Sequence, residues 1–155
     1  MNLRLIRRSC YLLTAAALLF ALAAPAPAQN NLSPRPASAL HQLLSGQGRA
    51  MISQPVNLSD VAVQNITQYD LLWVGTSPDS SVLVMLQPSV NPIDARGNPT
   101  PIAEGDQVRV TGHVLRAPDA QTLRGWGVSP ADAARVQRQG VVLQANTLEV
   151  LQRKK

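Results

Sequence analysis

Residues 107–116 alternate apolar and polar side chains over ten positions, and no other stretch constrains the fold as strongly. Val108, Val110 and Val114 share one face of an extended strand, while Arg109, Thr111 and His113 share the other. One side of such a strand packs on a core and the other meets water. Gly112 falls in the apolar register. A residue without a side chain there lets the strand bend or bulge, as closing a small barrel requires.

From about residue 51 the chain consists of short β-branched runs separated by Pro, Gly, Asn and Asp, which predicts an all-β domain. Strands are expected over residues 60–67, 71–76, 81–87, 107–116 and 141–151. The second and third are apolar at successive positions (Leu71, Leu72, Trp73, Val74; Val82 through Leu86). Continuous apolarity means that both faces are covered, one by the core and one by a cap or neighbouring segment. In the last strand the inward set changes phase between Ala145 and Leu148, which predicts a bulge near Asn146 and Thr147. Residues 88–106 hold four prolines, so neither a helix nor a central strand survives there. One helix is predicted, over residues 130–139. Ser129 is its N-cap, Pro130 its first residue, Asp132 sits in the first turn, and Gly140 ends it in the left-handed conformation.

The start of the chain has another character. Arg4, Arg7 and Arg8 precede an apolar run over residues 11–24, and Ala26 and Ala28 supply an A-x-A cleavage position. Residues 1–28 thus have the layout of a secretory signal peptide. The run of about 14 residues is shorter than the roughly 20 that span a bilayer. A periplasmic or secreted domain without a stable membrane span is expected, with a retained anchor as the alternative. Residues 29–50 read as a flexible Pro/Ser-rich tether with at most a helical turn over 37–44, residues 51–152 as the domain, and residues 153–155 as a basic tail.

Charge follows the same division. The whole chain carries 14 Lys and Arg against nine Asp and Glu, a net +5. Three of the arginines lie in the leader and three basic residues form the tail. Residues 29–152 therefore hold eight basic and nine acidic side chains, a net −1. A nucleic-acid binder needs cations spread over its contact surface to displace counterions, and this body has no such surplus. The one cysteine, Cys10, belongs to the leader, so the domain has neither disulfide nor thiolate metal site.

Residues 71–75, the string Gly-Asp-x-Val-x-Val-x-Gly-x-Val over 105–114, and residues 140–145 together resemble the small exported bacterial OB-fold proteins, a loosely defined periplasmic group. The resemblance covers about residues 56–151. It implies a mainly all-β fold, a five-stranded OB-fold-like barrel, with one short helix inserted between strands four and five. The usual OB helix lies between strands three and four, where this chain has its proline-rich segment. No catalytic residue and no cofactor come with the resemblance.

The expected role is a non-enzymatic binding or assembly module of the cell envelope, with an envelope protein or a small ligand as partner. Trp126, flanked by Gly125 and Gly127, is either an anchor over the barrel mouth or a plug fixing residues 118–140 to the barrel. Arg109, Thr111 and His113 form either a row meeting an anionic ligand or a solvated outer face. Single-stranded nucleic acid is an alternative partner. Against it, Tyr69, Trp73 and Trp126 are the only aromatics after the leader, whereas stacking grooves use several. A small hydrolase using Asp94, Glu104, Asp106 and Asp132 is a second alternative, although each acid falls at a turn or helix start. His41 has no ligand partner at metal-site spacing, so no metal is expected.

Overall fold

A computed structural model describes residues 36–68 and 70–155, so the leader, residues 29–35 and Tyr69 lie outside the described residues. The order is α1 (Pro36–Leu44), a 3-10 turn (Gln47–Met51), β1 (Pro55–Gln68), β2 (Leu71–Gly75), β3 (Ser81–Leu86), β4 (Ile93–Asp94), β5 (Gln107–Arg116), α2 (Ala120–Gly125), α3 (Pro130–Gln139) and β6 (Val141–Gln152). β1 pairs antiparallel with both β2 and β5, β2 with β3, and β5 with β6. β3 then closes onto β6 in parallel through Val84, Met85 and Leu86. Five strands thereby form the closed Greek-key barrel of an OB-fold. The two-residue β4 lies on the outer edge of β6.

Alternation fills the barrel. Val56, Leu58, Leu72, Val74, Val82, Val84, Val108, Val110, Val114, Leu143, Leu148 and Val150 form one buried core. The inward set of β6 shifts phase because Thr111 pairs with Thr147 but Gly112 with Ala145, which leaves Asn146 as the extra residue of a bulge. At Gly112 a Cβ would collide with the Gln144 carbonyl oxygen and lie 2.9 Å from Ala145 Cα. β1 carries a second bulge between Leu58 and Val61, where Asp60 takes φ 58°.

Two sequence expectations are corrected. The segment read as a flexible tether is, from Pro36, a helix and a 3-10 turn, and Ala39, Leu40, Leu43 and Met51 are buried in the barrel core. The domain therefore starts before residue 51. The insertion between the fourth and fifth barrel strands holds two helices. α3 has the predicted bounds, Ser129 cap and left-handed Gly140, but α2 precedes it, capped by Asp119 accepting from the Gln121 and Thr122 amides. In the basic tail the Lys154 amide donates to Asp106 Oδ1 at 3.0 Å, and the Arg153 guanidinium donates to Thr100 Oγ1.

Candidate functional site

The outward faces of β2 and β3 are as apolar as their inward ones, and the α2–α3 insertion covers them. Leu71, Trp73, Leu83 and Val142 from the barrel pack against Leu123, Val128, Ala133 and Val136 in a second buried cluster. Arg135 fixes the layer in place. Its guanidinium stacks 4.4 Å over the Trp73 ring, and its Nη2 donates to Ser81 O at 2.9 Å and Ser81 Oγ at 2.7 Å. Gln139 Nε2 donates to the same carbonyl at 3.0 Å. OB-folds use the face of strands two and three to take oligonucleotides and oligosaccharides. Here the chain's own helices occupy it.

The residues singled out from sequence fall in two places. Trp126 is half-buried at the margin of the helical layer, and its amide donates to Thr122 O and Leu123 O to close α2. Gly127, at φ 80°, lies against the Gln68 side chain at the far end of β1. Arg109, Thr111 and His113 share the outer face of β5, with Thr111 opposite Asn57 and His113 opposite Pro55 at the near end of β1. The structure thus brings the β5 row together and leaves Trp126 at the other end of the shared strand. Within the row, Arg109 Nη1 reaches Glu149 Oε2 at 2.8 Å, and His113 Nδ1 lies 3.2 Å from Asn146 Nδ2.

The four candidate carboxylates are committed to backbone and caps. Asp106 is buried and accepts from the Ala103 and Lys154 amides. Glu104 accepts from the Ile66 amide, and Asp132 accepts from the Ser129 hydroxyl that caps α3. Asp94 folds its own loop, accepting from the Asn98 and Arg96 amides at 2.9 Å. The Asn98 amide, foremost, holds its carboxyl below the usual aspartate value. That makes it a fixed anion, the opposite of what a general acid needs. Among the described residues no group of three or more His, Cys, Asp or Glu is placed to hold a metal ion. Nor is any helix there long and apolar enough to cross a membrane.

The barrel also carries a concave feature at one end. Where β1 and β3 end and β2 begins, the proline-rich segment leaves a cavity of about 370 Å³. Ile66, Leu72, Leu86, Val90 and Ile102 make its apolar wall, with Asp70 as the charged group on its lining. Val90 and Ile102 also pack on the barrel core, so the segment partly replaces the end-cap that the usual OB helix provides. The prolines signalled irregular chain, but not that Ile66 and Leu72 of the barrel would complete a pocket with it.

No protein-family model and no curated protein matches the chain. Among solved structures the barrel is similar to part of asparaginyl-tRNA synthetase from Pyrococcus horikoshii complexed with asparaginyl-adenylate. Identity is 16%, the TM-score is 0.43, and the match covers 68% of this chain. The chain spans 21% of the synthetase's length.

Proposed function

We propose that the chain is an exported, non-enzymatic OB-fold module that binds a small ligand or an apolar side chain of an envelope protein. The observation that carries this reading is the exchange of surfaces on the barrel. The β2–β3 face is filled by α2 and α3, while the end beneath the proline-rich segment is left concave. Its volume of about 370 Å³ lies within the range of small-molecule sites. Apolar walls beside one carboxylate suit a compact apolar group carrying a hydrogen-bond donor or positive charge toward Asp70. The commitment of Asp94, Glu104, Asp106 and Asp132 to local hydrogen bonds supports binding over hydrolysis.

The reading is tested in cells that export the full chain. A photo-cross-linking residue at Val90 is expected to give one discrete adduct with an envelope component. Ile102→Trp, which fills the cavity, is expected to abolish it while leaving the far-UV spectrum and export unchanged. Equal labelling from Val90 and from the exposed Gln121 would contradict the assignment, as would retention of the chain in the cytoplasmic fraction.

A further inference from the structure

The opposite end of the barrel carries a second concavity with different chemistry. It measures about 350 Å³ and lies between the 3-10 turn, the end of β5 and the C-terminus of α3. Arg49, Arg116 and Gln137 line it with Ile52, Ala117 and Gly140, and no carboxylate is in its wall. Among the described residues the one ion pair joins Arg109 to Glu149, so neither Arg49 nor Arg116 has an acidic partner. Gly140 is left-handed at φ 74°, and a Cβ there would run into the Arg49 guanidinium. The bare Cα therefore lets that guanidinium lie flat against the end of α3. Two cations facing one groove repel each other unless something neutralises them.

The C-terminal carbonyls of α3 account for one positive charge nearby, because they form the negative end of the helix dipole. They do not account for a second, delivered from β5, an element whose register is set by its pairing with β6. We infer that the groove between Arg49 and Arg116 is a binding site for a small oxyanion ester, a phosphate monoester carried on a compact organic body. Guanidinium forks match phosphate oxygens bidentately. The Gln137 side-chain amide, which donates to Pro118 O, fixes the helix side of the groove. The volume exceeds that of a bare phosphate and sits at the lower end of small-molecule pockets. This site is independent of the cavity beneath the proline-rich segment.

The ester can be soluble or can be the headgroup of an anionic lipid, and two arms separate these sources. In the first, the full chain is titrated at low salt with sn-glycerol 3-phosphate and followed by the amide resonances of Arg116, Ala117 and Gly140. In the second, vesicles containing phosphatidic acid, whose headgroup is a phosphate monoester, are co-sedimented with the same protein. Saturable shifts or co-sedimentation are expected, weakened at least about tenfold by Arg49→Gln and by Arg116→Gln, and unchanged by Arg124→Gln on α2. Gln137→Glu, which adds a carboxylate to the lining of the groove, is expected to abolish binding with the fold retained. Response in the first arm alone identifies a soluble ester, and response in the second identifies the headgroup. Unmoved amides together with no vesicle binding would overturn the inference. So would an equal loss on Arg124→Gln, or Arg49→Gln and Arg116→Gln proteins that bind like the parent.

Discussion

At Gly112, β5 and β6 approach so closely that no side chain fits between them. The atoms a Cβ would meet belong to the backbone of Gln144 and Ala145, which cannot swing aside as a flexible side chain does. Gly112→Ala is therefore expected to cost about 3 kcal/mol or more, read as a loss of chemical-denaturation midpoint. Asp60 presents the reverse case, a side chain tolerated where glycine is usual. Its φ of 58° is accessible to Asp and costly for β-branched residues. Asp60→Val is expected to destabilise by about 1–2 kcal/mol, with the burial of its neighbours unchanged. The sequence exposed Gly112 through its place in an alternating strand. It did not expose Asp60, because no neighbouring pattern marks that bulge.

At the scale of elements, long periodic segments were readable and short or composite ones were not. β5 and α3 have the bounds that alternation and caps predict. The doubly apolar β2 and β3 correctly called for a second covering layer. α2 was hidden because its six residues hold one buried apolar side chain, Leu123, and so show no period. α1 reads as at most a helical turn because Pro36 and Ser38 sit within it, although Leu40 and Leu43 are among the buried core. Leu43→Ala is expected to cost about 2–5 kcal/mol by calorimetry, whereas a flexible tether would lose nothing. Arg135→Ala removes the stack on Trp73 and two hydrogen bonds to Ser81. A loss of about 2 kcal/mol and a red-shifted tryptophan emission are expected, since the helical layer then sits less firmly on the ring.

Acid pH acts on α2 with a definite sign. The Thr122 amide and hydroxyl, and then the Gln121 amide, bond the Asp119 carboxylate and hold its carboxyl below the ordinary aspartate value. A lowered folded-state value favours the folded chain above the ordinary value. The benefit disappears as pH falls through the lowered one. Stability of α2, followed by amide exchange at Leu123, is expected to be flat between about pH 5 and 8 and to fall under more acidic conditions.

For the whole molecule, the barrel and its covering helices decide which surfaces are left for recognition. Among the concavities of the described residues, one is apolar beside Asp70 and another lies between two arginines, while the β2–β3 face is internal. Composition had already weakened a nucleic-acid role, since residues 29–152 carry no net positive charge. In the structure Trp73, the aromatic of that face, lies beneath Arg135. Neither concavity was legible in advance. Each is lined by segments distant in sequence, Ile66 and Ile102 at one end and Arg49 and Arg116 at the other.

The most direct test of this closed OB face is a fluorescence-anisotropy titration of the domain with labelled single-stranded oligonucleotides at low salt. The account predicts no saturable binding tighter than about 10⁻⁴ M, the weak limit of non-specific association. Micromolar binding that falls steeply with added salt and shields Trp73 would contradict it.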